Sequence, residues 1–127
     1  MIYKKTVEEI AVMAEGGALL RGITEKLAEA TKEGVRLKDI DALAEKLMKA
    51  TGGEPAFLGY KPAWAKKAYG ASICASVNDV VVHGIPSAYR LKQGDIVTLD
   101  LGLKYKGFYT DTAVTVAVGE VSDDARR

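Results

Sequence analysis

The segment Gly94 to Gly119, GDIVTLDLGLKYKGFYTDTAVTVAVG, constrains this chain more than any other. Residues 96–104 are rich in β-branched and apolar types, and 107–118 alternate threonines with valines, alanines and aromatics, so both runs read as strands. A two-residue loop at Tyr105-Lys106, with Gly107 just after it, predicts a hairpin in which Lys104 faces Gly107. In that register Asp100 falls directly opposite Asp111. Strand side chains alternate between faces, so the pairing sorts the residues into two sets. Val97, Leu99, Leu101 and Leu103, with Phe108, Val114, Val116 and Val118, make a core face. Asp100 and Asp111 share the other face with Thr98, Gly102, Ala113 and Thr115, which are small enough to leave room above the carboxylates.

Two like charges directly opposite in a ladder repel. At about 5 Å and an effective dielectric of about 20, the repulsion is roughly 3 kcal/mol. Protonation of one Asp, a side-chain cation or a metal ion would relieve it. Lys104 lies on the same face but near the turn. Oxygen donors suit hard or borderline divalent cations.

The chain has 127 residues, enough for one domain (1–127) with a small core. Its formal net charge of +1 implies no broad attraction to nucleic acid or membrane. The N-terminal MIYKKTVEE has no apolar run, so no secretory signal is expected, and no stretch is long and apolar enough to span a bilayer. Cys74 is the single cysteine, which excludes an internal disulfide and fits a reducing cytoplasm.

Thr6 to about Lys32 reads as a helix, opened by a Thr6–Glu9 capping box. Ile10, Met13, Gly17, Leu20, Thr24 and Leu27 fall on one face. Gly16-Gly17 either admits close approach of another backbone or breaks the helix in two. A second helix spans about Leu37 to Ala50, with no good N-cap residue before it. A short strand is expected over Ala56 to Tyr60, followed by an exposed basic loop, KPAWAKKA, from Lys61 to Ala68, with Trp64 either touching a ligand or, more in keeping with a loop Trp, packed on the loop's own base. Residues 71–83 read as strand, a bend at Asn78-Asp79, then strand again through Val80 to Val82. Ser122 opens a helix that the last residue, Arg127, cuts to about one turn, too short to stand alone, so a truncated chain is expected. The lone His83 ends the Val80–Val82 run, where a structural role and a site role are both open.

Ser76 to Ser87, SVNDVVVHGIPS, and GDIVTLDLGLKYKGFYTDTAVTVAVGE resemble the signature segments of type I methionine aminopeptidases, and the spacings from His83 to Asp100 and from Asp100 to Asp111 fit. The aspartates alone would suit the wider group of prolidase-like and creatinase-like enzymes; VHGIPS narrows it. The resemblance implies an α+β chain that forms half of a pita-bread fold, with two helices packed on an antiparallel sheet and a C-terminal hairpin. It implies a metal-dependent hydrolase that removes the initiator methionine from nascent polypeptides in the cytoplasm, close to the ribosome. Asp100 and Asp111 match metal ligands, Asp111 the bridging one. His83 matches a histidine that positions or protonates the substrate at the scissile bond. Phe57, Tyr60, Tyr69 and Cys74 match the lining of the methionine pocket, although ordinary core packing would account for them equally.

The complete enzymes hold two divalent ions (Co, Mn, Fe or Zn), and their later half supplies a histidine and glutamates that have no counterpart here. This chain alone is therefore expected to bind one ion weakly, and to be inactive. Gly70, where Pro is expected after the tyrosine, and the basic loop at 61–68 also depart from the pattern. The alternative is a non-catalytic half-fold that binds peptides or associates with itself through an uncovered apolar seam.

Overall fold

A computed structural model describes residues 2–127. Helix α1 (Val7–Ala30) and helix α2 (Leu37–Ala50) lead into strands β1 (Glu54–Pro55), β2 (Ile73–Val77), β3 (Ile96–Tyr105) and β4 (Phe108–Ala117), and a last turn of helix, α3 (Asp123–Arg126). β3 is the centre of an antiparallel sheet. β1 and β2 pair along one of its edges and β4 along the other. Both long helices lie on one face of that sheet. Their buried side chains, Leu20, Ile23 and Leu27 from α1 and Ile40, Ala44 and Met48 from α2, close over Val97, Leu99, Leu101 and Leu103 of β3. No helix among the described residues is long and apolar enough to cross a membrane.

The capping box is present: Thr6 Oγ1 accepts from the Glu9 amide and Glu9 Oε2 accepts from the Thr6 amide. α1 runs unbroken through Gly16-Gly17. Gly16 is buried against the hairpin's tip, where a Cβ would stand in ordinary contact, 3.4 Å from Tyr105 Cβ. The apolar face of α1 is rotated from the expected one: Ile10 is exposed and Ile23 is buried. α2 has no side-chain cap. Its first amides are met instead by backbone carbonyls of a distant loop, Leu37 N–H by Tyr89 O and Lys38 N–H by Ser87 O. Ser122 caps α3 as expected, accepting from the Ala125 amide.

The hairpin closes one residue later than its sequence suggests. Tyr105 pairs with Phe108, and the two loop residues are Lys106 and Gly107, both at positive φ (46° and 86°). Two positive φ values give the turn whose twist matches that of the flanking strands, and Gly107 adopts its share without strain. The register therefore moves by two positions. Asp100 faces Ala113 and Asp111 faces Gly102, so the two aspartates are diagonal neighbours rather than directly opposed. A slip of two keeps every side chain on its face, and the division into a core face and an acidic face survives.

Two expected strands are not found. Residues 56–60 are loop, and the short strand precedes them at Glu54–Pro55, where pairing with Leu103 and Lys104 is available. Val80 to Val82 do not extend the sheet. β2 ends at Val77, Asn78-Asp79 turn the chain, and all three valines are exposed. The hydrogen bond that a continued strand would compete for is taken by Gly84, whose carbonyl accepts from the Ala75 amide at 2.8 Å.

Candidate active site

The acidic face of the β3–β4 hairpin is the face the helices leave uncovered. Asp100 is half-buried there and Asp111 is exposed. Thr98 and Thr115 join hydroxyls across the strands at 2.8 Å on the same face, next along the ladder from Asp100. Gly102 shapes the space between the two carboxylates. A Cβ at Gly102 would lie 2.9 Å from Phe57 Cε1, 3.0 Å from Ala56 Cβ and 3.4 Å from Asp111 Oδ2. The missing side chain thus lets the Phe57 ring and Ala56 close on the strand beside the Asp111 carboxylate. Burial, and then the neighbouring charge of Asp111, push the Asp100 carboxyl above the usual carboxylate range, while His83 pulls it partly back.

β2 supplies the opposite wall. Cys74 stands across the ladder from Asp100. The Tyr69 hydroxyl donates to the Ile73 carbonyl at 2.8 Å and lies 3.3 Å from Cys74 Sγ. Burial raises the Cys74 thiol; its contact with Tyr69 lowers it, and the charges of Asp100, Asp111 and Asp41 raise it further. Burial also raises the Tyr69 phenol, together with its Cys74 contact. Both groups are therefore neutral at physiological pH and present a weakly polar surface.

His83 sits at positive φ (58°) in the loop after β2. Gly84 pins that loop by accepting from the Ala75 amide and donating to Ser76 Oγ at 3.0 Å. His83 is exposed and opens on a cavity of about 590 Å³ lined also by Val77, Asn78, Ile85 and Tyr89, not by either aspartate. Asp111 borders a separate cavity of about 290 Å³ against Gly17, Leu20, Arg21 and Thr24 of α1. The fold thus gathers Asp100, Asp111, Cys74, Tyr69 and Phe57, and leaves His83 and the exposed ring of Tyr60 at the rim.

Several positioning residues carry no local signal in the sequence. Asp41 of α2 accepts from the amides of Ser72 (2.8 Å) and Ile73 (3.1 Å), which fixes the start of β2 and with it Cys74. Buried Asp95 accepts from Asn78 Nδ2 (3.0 Å), the Tyr89 hydroxyl (2.9 Å) and the Lys92 amide (2.9 Å), tying the loop around His83 to the foot of β3. The links from Asp41 to Ser72 and Ile73 and from Asp95 to Asn78 join residues that meet only after folding.

The profile of metallopeptidase family M24 matches residues 11–127. The chain belongs to metallopeptidase family M24. It is 39% identical, over all of its length and 49% of the relative's, to methionine aminopeptidase 1 of Bacillus subtilis. Its structure is similar to that of methionine aminopeptidase from Rickettsia prowazekii, with a TM-score of 0.92 and 31% identity over 99% of this chain and 48% of that one. It is also similar to the Thermotoga maritima methionine aminopeptidase, with a TM-score of 0.90 and 35% identity over 99% and 49%. The chain spans about half the length of the curated relatives it matches. The half pita-bread architecture expected from the sequence is the one observed, two helices on an antiparallel sheet.

For an M24 chain the question is whether these side chains suit divalent metal. Two carboxylates on one open face, with Gly102 and Ala113 beside them, are oxygen donors of the right type. Among the described residues no three His, Cys, Asp or Glu side chains are arranged so that together they could hold a metal ion.

Proposed function

We propose that this chain is the part of a methionine aminopeptidase that carries two metal ligands and the wall of the methionine pocket, and that it serves removal of the initiator methionine from nascent polypeptides in the cytoplasm. The observation that carries the reading is the convergence of Asp100, Asp111 and Cys74 on one face of the sheet. Asp100 and Asp111 would hold divalent ions, two in a complete site and one, weakly, in this chain. When bound, such ions polarise a peptide carbonyl and acidify water. Phe57, Tyr69 and the neutral Cys74 would receive the methionine thioether, with Tyr60 at the mouth. A neutral thiol and aromatic rings suit a polarizable sulfur. His83 would orient the scissile bond or pass a proton to it from the rim.

The test is a chimera in which this chain replaces the matching half of the Bacillus subtilis relative, assayed for methionine release from Met-Ala-Ser. Release is expected from the chimera and not from the 127-residue chain alone. Asp111→Ala should abolish it, and His83→Ala should lower turnover with metal content retained. A folded, metal-loaded chimera without release would overturn the reading. A second reading, a non-catalytic peptide-binding half-fold, draws on the partial donor set; it predicts that the chain alone binds Met-Ala-Ser while the chimera stays inactive.

A further inference from the structure

The loop from Lys61 to Ala68 does not fold back on itself. Trp64 is 86% exposed, where the sequence predicts packing on the loop's base. The base is nevertheless firmly closed: Gly59 N–H donates to Tyr69 O and Tyr69 N–H to Tyr60 O, both at 2.8 Å. A turn at the tip, Ala65 N–H to Pro62 O at 2.9 Å, carries Trp64. Lys61, Lys66 and Lys67 are exposed on the same loop. None of the three joins an ion pair or stacks on a ring among the described residues. Residues 55–78 contain no acidic side chain, so the stretch that carries the loop is cationic by itself although the whole chain is near neutrality.

We infer that this loop is a docking site for single-stranded RNA, with the lysines on phosphates and the Trp64 indole as a platform for a base. The combination decides the partner. An acidic peptide would satisfy the ammonium groups and leave the indole in water. A bilayer would accept the indole, but its neighbours Ala63, Ala65 and Ala68 add little apolar area to hold it there. A nucleic-acid strand uses both, since every base has a face that stacks on an aromatic ring. The proposal is independent of the peptidase reading, because no residue of this loop belongs to the acid pair or to the β2 wall.

Trp64 is the single tryptophan, so its fluorescence reports on the loop alone. Titration of the chain with a labelled U12 oligonucleotide, followed by Trp64 quenching and by label anisotropy, should show binding at 50 mM KCl. Three phosphate contacts give a log–log salt slope of about −2, hence roughly 20-fold weaker binding at 200 mM. The triple change of Lys61, Lys66 and Lys67 to Ser should remove the anisotropy change with an unaltered melting curve, and Trp64→Ala should weaken it at least several-fold. No binding at 100 µM protein, or binding unchanged in the triple variant, would overturn the proposal. So would quenching by Met-Ala-Asp-Glu-Asp peptide or by phosphatidylserine vesicles but not by the oligonucleotide.

Discussion

Cys74 and Asp100 are directly paired across the β2–β3 ladder, and burial drives both toward their neutral forms. A half-buried carboxyl beside a second carboxylate is held ionised at a cost in the folded chain, which protonation or a bound cation would relieve.

Metal binding by the isolated chain follows from that pair. Calorimetry with Mn or Co under anaerobic conditions should find one weak site, stronger as pH rises because the raised Asp100 proton must leave first. Asp100→Asn and Asp111→Ala should each remove it. Tight binding of two ions per monomeric chain would contradict this account.

Two carboxylates should give opposite pH signatures in thermal unfolding. Asp100 has a folded pKa above its unfolded one, so its contribution is best below the unfolded value and is lost as pH rises through the folded value. Asp100→Asn should therefore raise Tm at pH 7 and leave it unchanged near pH 3. For Asp95, burial raises the pKa, but the bonds from Asn78, the Lys92 amide and Tyr89 outweigh it and hold the carboxyl below the usual range. Its stabilisation is present above the unfolded pKa and is lost as pH falls through the lower folded one. Asp95→Asn should cost about 2 kcal/mol at pH 7 and progressively less in acid.

Gly84→Ala tests the seat of His83. The added Cβ would stand 2.3 Å from Ala75 O, a backbone atom held in the edge of the sheet, so the loop must lift. A loss of about 3 kcal/mol or more is expected in denaturant unfolding, from overpacking together with the broken Ala75–Gly84 bond. An unchanged midpoint would show that the loop is not anchored there.

Self-association should follow from β4. Among the described residues its ten residues pair only with β3, and they include no Lys, Arg or Pro, the residues that usually guard an exposed edge. Sedimentation at micromolar concentration should show reversible oligomers, reduced by Ala113→Lys. A compact monomer with a sharp transition above about 60 °C would contradict this.

Local chemistry was enough to locate α1 with its capping box, α2, the hairpin strands and the division of β3 and β4 into apolar and acidic faces, because each rests on short-range periodicity or on neighbours three residues apart. The family was legible for the same reason: VHGIPS and the hairpin are contiguous stretches. What tertiary structure alone decided lies between segments. The hairpin register turned on which residues accept positive φ, and that shift made Asp100 and Asp111 diagonal. Val80 to Val82 read as strand by composition, yet Gly84 takes the Ala75 amide and leaves them in solvent. The links from Asp41 to Ser72 and from Asp95 to Asn78 cross 31 and 17 positions of chain. A one-dimensional pattern carries no record of such partners, since their hydrogen bonds exist only once the helices have closed on the sheet.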